Sequence, residues 1–393
     1  MHQDAALHQA VRDRRPVELL RDMVRMDTHV EEAALVEYLA KRWSSLGIRY
    51  ELTPAHGSRG NITAHVGNGA PSLLFNSHMD TVPHGDPALW TAGAGALDGV
   101  ERDGRLYGRG SVDAKGCLAA MIAAYEALAL SGDMRRGSLM LSAVCFEENG
   151  GWGTRADVER GLQADAAVVG EPTNLLPKLG HRGAMRFEIE AVGKAAHSAS
   201  PEEGRNAIAD MAAVVLALEQ MEQHLDSRRD PILRQRPNLT VTMINGGVAG
   251  NVVPGSCHIV VDRRVLPSER EEDVDAEMDA VIQAVATARG ATIKVHRLRF
   301  NPGCAITPTE PIWTTIQRVV HDVTGATSPA DGFFACCDMS YLWNLGHIPT
   351  VIFGPGEEAM CHKANEGLKV DDLYTAATVY AELGRRWLQQ GAL

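Results

Sequence analysis

Apolar positions recur along the chain with two different periods, and the change of period divides it. From Pro16 to about Leu46, Val17, Leu19, Leu20, Met23 and Val24 and then Leu35, Val36, Leu39 and Trp43 fall at helical spacings and stop at Gly47, which predicts two amphipathic helices. Residues 61–66 alternate as a strand, and Gly67-Asn-Gly69 leads into the apolar run 72–77; the two are expected to pair as a hairpin. A helix is predicted from about Ala114 to Leu130, ending at Ser131-Gly132. Three more apolar runs, 139–146, 165–169 and 349–353, show no alternation, the pattern of strands buried on both faces.

Between about Arg182 and Leu298 the rhythm differs. Residues 184–192 alternate as a strand, 205–223 form a helix rich in Ala, Val and Met, 238–244 and 258–266 are strands, 268–288 a helix and 292–298 a last strand. That β-α-β-β-α-β order predicts a ferredoxin-like layer of two helices on an antiparallel sheet. The expected fold class is therefore α/β, with residues 1–181 and 299–393 forming a mixed-sheet domain and residues 182–298 a domain inserted into it.

Composition narrows the function. A chain of 393 residues with 45% hydrophobic content supports two or three cored domains. A formal charge of −12 argues against nucleic acid and anionic membrane as partners, since both call for a basic face. The first residues mix charges and lack the apolar core of a signal peptide. The most apolar long stretch, 117–130, is interrupted by Glu126 and too short to span a bilayer. Seven cysteines without a C-x-x-C pair suit a reduced, cytoplasmic chain. Cys336, Cys337 and Cys361 are read either as reactive thiols or as small buried side chains.

Chemistry collects where strands end. The run 139–146 delivers Glu147 and Glu148 into the turn Asn-Gly-Gly151. His78 and Asp80 leave the carboxyl end of the 72–77 run two residues apart, so both point to one side and the acid can hold the imidazole tautomer. Asp113, in Gly108-Arg-Gly110-Ser-Val-Asp113, lies where a helix N-cap is expected and is also aimed out of the sheet edge. Glu171 follows the strand 165–169, and His362 lies on a loop beyond 349–353. Carboxyl ends of strands are where open α/β sheets bind ligands, and imidazole with carboxylate suits divalent ions of the zinc type, one carboxylate bridging two of them.

These segments together resemble the M20 metallopeptidase family, the group of acetylornithine deacetylases, succinyl-diaminopimelate desuccinylases, aminoacylases and glutamate carboxypeptidases. The resemblance is ordered and nearly full length. It covers Ser77-His-Met-Asp-Thr-Val-Pro83, Gly108 to Gly116, Glu147-Glu148, Gly170-Glu-Pro-Thr173, Gly193-Lys-Ala-Ala-His197-Ser, Gly204 to Ile208, Asp262-Arg-Arg264-Val-Leu-Pro267, Gly354-Pro-Gly356 and His362.

The resemblance implies a di-zinc aminopeptidase-like catalytic domain and an inserted lid and dimerisation domain. His78 and Glu171 would bind one metal and Glu148 and His362 the other, with Asp113 and a water bridging both; zinc is expected, with cobalt or manganese possible. Asp80 would orient His78, Glu147 would be the general base, and the peptide joining Asp113 to Ala114 would be cis. His197 would complete the neighbour's site in a homodimer, an edge strand such as 184–192 or a neighbour pairing with its copy. Gly354 and Gly356 would line the substrate, while Asn251 and Arg264 resemble lid residues that contact it; Arg264 could equally be an ion-pair partner of Asp262. Where desuccinylase relatives carry an arginine after Ser-Asp-Gly, this chain has Asp338-Met-Ser340, which favours a deacetylase-like hydrolase of small N-acyl amino acids over a desuccinylase. A carboxypeptidase or dipeptidase is the alternative. A catalytically inactive family member would show damage at Glu147 or a ligand, and none is present.

Overall fold

A computed structural model describes residues 2–92, 95–132 and 136–390. The chain divides into two compact units, one of residues 1–180, 306–333 and 337–393 and another of residues 181–305 and 334–336.

The first unit is built on a six-stranded mixed sheet in the order Arg49–His56, Arg59–Gly67, Ser138–Val144, Ser72–His78, Ala166–Val169, Thr350–Ile352. The last four strands in that order run parallel to their neighbours, so their carboxyl ends share one edge of the sheet. Apolar side chains on both faces account for this: Leu73, Leu74, Phe75, Leu139, Leu141, Val144, Val168 and Val351 are all fully enclosed.

The expected hairpin between 61–66 and 72–77 does not form. Ser138–Val144 lies between the two strands, antiparallel to one and parallel to the other. The Ser72–His78 strand is apolar along its length and needs a buried neighbour on each edge, which a half-polar hairpin partner does not supply. The hairpin is made instead by Arg49–His56 with Arg59–Gly67. Sequence patterning hid that first strand because it is an edge with exposed and half-buried positions, Arg-Tyr-Glu-Leu-Thr-Pro-Ala-His.

The helix Lys115–Leu130 is buried from Lys115 to Leu128 on every face, packed against the strands and the C-terminal helix Val370–Gln390. Two charges inside it are matched. Arg42 donates from Nε and Nη2 to the enclosed Glu126, each at 2.7 Å. Lys115 Nζ donates to the carbonyls of Met23 at 2.9 Å and Met26 at 2.8 Å. The two predicted N-terminal helices are Pro16–Val24 and Ala33–Ser45. Among the described residues no helix is long and apolar enough to cross a membrane.

The second unit is a four-stranded antiparallel sheet in the order Asn238–Gly246, Ser256–Val265, Gly183–Val192, Thr292–Asn301, with helices Ala207–Leu225 and Glu271–Arg289. Alternating residues of the strands, such as Phe187, Ile189 and Val261, meet Met211, Leu218 and Met278 of the helices. Gly183–Val192 pairs on both sides and is internal, so the edges are Asn238–Gly246 and Thr292–Asn301 rather than 184–192. The last strand continues to Asn301, past the expected boundary at Leu298.

Candidate metal centre

Four adjacent parallel strands bring residues from the whole length of the chain to one sheet edge. His78 is the last residue of its strand, Glu147 and Glu148 follow Ser138–Val144, Glu171 follows Ala166–Val169, and the loop after Thr350–Ile352 carries His362. Asp113 enters from the turn before Lys115–Leu130, where the Asp113–Ala114 peptide is cis as expected.

The side chains form one chain of contacts. His78 Nε2 is 3.2 Å from Asp113 Oδ1 and 3.9 Å from Glu171 Oε1. His362 Nε2 is 3.3 Å from Asp113 Oδ2 and 3.1 Å from Glu148 Oε1. Each oxygen of Asp113 thus faces a different imidazole, and ligand atoms of His78, Asp113 and Glu148 lie within 4.8 Å of one another. All five expected ligands converge.

Electrostatics favour cations here. Burial pushes the carboxyls of Glu171 and Glu148 up, and the charge of Asp113 beside them adds to it. Burial also raises Asp113, but hydrogen bonds from His362 and His78 outweigh it and hold that carboxyl below the usual carboxylate range. Hydrogen bonds to Asp113 and Glu148 push His362 up to about 10. His78 is driven down by burial but ends well above its ordinary value through Asp113 and Asp80. Every direction expresses one demand for positive charge among crowded carboxylates. A divalent ion meets it with the imidazoles neutral, and these N and O donors are the ligand types of zinc-like ions. The residues therefore fit the metals the resemblance implies.

Glu147 lies beside this cluster with its carboxyl pushed well up, first by burial and then by Asp338, Glu171 and Glu148, against a lowering by His78. Asp80 lies beside His78, the imidazole it is expected to orient. The partner of His78 Nδ1 is the Asp80 main-chain carbonyl at 2.9 Å, with the carboxylate at 3.6 Å. The carboxylate also accepts the N–H of Glu147 at 3.0 Å and of Glu148 at 3.1 Å. The sheet explains it: Ser72–His78 and Ser138–Val144 are parallel neighbours, so the residues leaving one meet the turn leaving the other.

Sequence patterning assigned no role to Glu366, and none to Asp338 beyond a missing arginine. Glu366 is fully enclosed; its Oε1 accepts the N–H of Val112 at 2.8 Å and Asp113 at 3.0 Å, and its Oε2 pairs with Arg109 at 2.6 Å. Asp338 accepts the Thr154 hydroxyl at 2.6 Å, and burial pushes its carboxyl up to about 6. An acid four residues beyond His362 was the available signal for Glu366.

Gly354 and Gly356 are buried. A Cβ at Gly354 would meet the Glu171 carbonyl and Cys117 Sγ, each at 2.6 Å, and Gly356 has φ of +104°. Their carbonyls accept the N–H of Leu175 at 3.0 Å and of Asn174 at 2.8 Å, so the glycines let the loop carrying Glu171 pack closely. In the second unit, His197 is exposed, with Nδ1 accepting the Ala199 N–H at 3.1 Å. The Asn251 carbonyl accepts the Ser198 N–H at 3.0 Å. Arg264 pairs with Asp262 at 2.8 Å, the ion pair that was one of its two expected roles. All seven cysteines are free thiols, five of them buried.

Comparison with known proteins extends this geometry. Residues 74–386 match the model of peptidase family M20/M25/M40. Over 378 residues the chain is 30% identical to an acetylornithine deacetylase of Myxococcus xanthus, covering 92% of this chain and 94% of that one. It is 27% identical to a probable succinyl-diaminopimelate desuccinylase of Staphylococcus epidermidis, covering 95% and 98% of the two chains. A solved dinuclear metal-binding peptidase of the M20 family from Bacillus subtilis superposes with a TM-score of 0.72 at 17% identity, over 98% of this chain and 99% of that one. With a family match over most of its length and a relative at 30% identity, the chain belongs to peptidase family M20/M25/M40, whose members are hydrolytic metalloenzymes.

Proposed function

We propose that this chain is a dinuclear metal-dependent amidohydrolase that removes the acyl group, acetyl in preference, from a small N-acyl amino acid. The observation that carries the reading is the Asp113 carboxylate, one oxygen of which faces His78 and the other His362. His78 and Glu171 would hold one ion and His362 and Glu148 a second, with Asp113 shared between them. Zinc suits the donors, and cobalt or manganese would be accepted by the same N and O set. When bound, the ions supply Lewis acidity to the amide carbonyl and to the attacking water.

The protein's own groups do the rest. Glu147 takes the proton of the water and delivers it to the departing amine, and a carboxyl raised by burial is nearer the working pH than an ordinary glutamate. Asp80 fixes the turn on which both Glu147 and Glu148 stand. Asp338 places a buried acid, not an arginine, beside the site, which disfavours a second carboxylate on the acyl group and so a succinyl substrate. The names of the deacetylase and desuccinylase relatives support the N-acyl amino acid class. In the second unit His197, Asn251 and Arg264 are assigned to substrate, with His197 serving the partner's site in a homodimer and the unit acting as a lid. A cytoplasmic location accords with seven free thiols.

The test is turnover of zinc-loaded protein on N-acetyl, N-succinyl and N-formyl amino acids and on dipeptides. The N-acetyl series should give the highest kcat/KM. Dipeptides leading by tenfold or more would move the assignment to a dipeptidase.

A further inference from the structure

A second group of metal-type donors lies outside the dinuclear cluster and shares no residue with it. Asp27 stands in the segment between helices Pro16–Val24 and Ala33–Ser45, with His29 two residues on. His84 comes from the loop that leaves the Ser72–His78 strand. His29 Nδ1 is 2.6 Å from Asp27 Oδ1, and His84 Nε2 is 3.3 Å from Asp27 Oδ2. The two rings are 5.3 Å apart and tilted by 58°. All three donor atoms lie within 4.8 Å of one another.

We propose that Asp27, His29 and His84 form a third divalent transition-metal site, of the two-histidine, one-carboxylate type, distinct from the dinuclear centre. Donors about 2.0–2.2 Å from one zinc-type ion lie up to about 4.4 Å apart, so small side-chain adjustments bring the three into range. Asp27 Oδ1 also accepts the His29 N–H at 3.3 Å, and the two carboxylate oxygens are faced by separate imidazoles, one from each of two loops. The side chains are 38%, 28% and 33% exposed for Asp27, His29 and His84, which leaves coordination positions open to water or a ligand. Imidazole with a single carboxylate selects zinc, cobalt or nickel over calcium or magnesium.

The position gives such an ion leverage. The Met26 carbonyl, next to Asp27, accepts Lys115 Nζ at 2.8 Å, and Lys115 is two residues from Asp113. The Pro83 carbonyl, next to His84, accepts Arg109 Nη2 at 3.4 Å, and Arg109 pairs with Glu366, which holds the Val112 and Asp113 amides. An ion here ties together two loops that both brace the turn presenting Asp113.

Metal-free protein dialysed to equilibrium against zinc, with bound metal measured by mass spectrometry, tests the site. His84→Gln and His29→Gln should each bind one equivalent fewer than the unsubstituted chain. His362→Gln should keep that equivalent and lose metal from the dinuclear cluster, so failure of the dinuclear reading registers in His362→Gln alone. Equal zinc content in folded His84→Gln, His29→Gln and unsubstituted protein would overturn the proposal. A test without substitution is diethyl pyrocarbonate labelling read by peptide mass spectrometry. Zinc should protect both His29 and His84 at least severalfold, and unchanged labelling of both would equally overturn it.

Discussion

At the scale of single residues, substitutions at Glu147 and Asp80 test whether proton transfer is separate from metal holding, as the proposed function requires. Glu147→Gln keeps the size and the neighbouring ligands but cannot take a proton; kcat should fall about 10²–10⁴-fold while metal content stays that of the unsubstituted chain. Near-normal turnover in a metal-replete sample would place the base elsewhere. Asp80 acts through two main-chain amides, so Asp80→Ala frees the turn under Glu147 and Glu148 together. Outer-sphere partners of metal ligands typically matter about 10–100-fold. The expected result is a loss of that order in zinc affinity, read by chelator competition, accompanied by a fall in kcat. A change in kcat alone, with zinc affinity intact, would show that Glu148 does not depend on Asp80. The two substitutions should therefore differ in kind: one moves turnover only, the other moves both.

At the scale of elements, the turn ahead of Lys115–Leu130 is held from far along the chain. Glu366, just before the strand Gly367–Lys369, accepts the Val112 and Asp113 amides and pairs with the enclosed Arg109. Glu366→Ala would leave a buried guanidinium and two amides without their acceptor. Removing one partner of a buried pair costs about 3–5 kcal/mol. That loss should appear in urea unfolding, together with weaker zinc binding because Asp113 loses its support. A variant as stable as the parent would mean that the turn finds other acceptors. Glycine matters at the start of the same helix. A Cβ at Gly116 would run into the Ser111 carbonyl and lie 2.7 Å from Leu368, so this turn and the strand after Glu366 approach closely only with hydrogen at that position.

At the scale of the whole molecule, the Asn238–Gly246 edge of the second unit has, among the described residues, a strand on one side only, and carries Met243 at 66% and Ile244 at 63% exposure. Unprotected apolar edges invite pairing, and a two-fold partner covers such an edge with its own copy. The expected assembly is a homodimer through this unit with His197 completing the partner's site. Mixing inactive Glu147→Ala and His197→Ala chains should then restore part of the activity, since one site of each mixed dimer has both residues. Absence of recovery in a sample that native mass spectrometry shows to contain mixed dimers would confine His197 to its own subunit or remove it from the reaction. Met243→Lys with Ile244→Lys should shift the measured mass toward the monomer.

Much of this was legible along the chain, because apolar runs and the residues that follow them are local properties. The buried strands, the two N-terminal helices and the β-α-β-β-α-β order of the second unit follow from period and burial pattern; the candidate acids and histidines stood out by their position beyond strands or before a helix, and the family resemblance singled out the five ligands among them. Pairing is not local. The expected hairpin gave way to a strand inserted from residues 138–144, since a strand buried on both faces takes the neighbours that complete its burial rather than the nearest in sequence. Likewise the hydrogen-bond duties of Asp80 and Glu366 depend on which amides the sheet brings within reach. The grouping of Asp27 and His29 with His84, 55 residues or more away in sequence, arises only from the meeting of two loops. Sequence determined which side chains stand at the strand ends; tertiary structure alone decided which of them share a carboxylate, an amide or an ion.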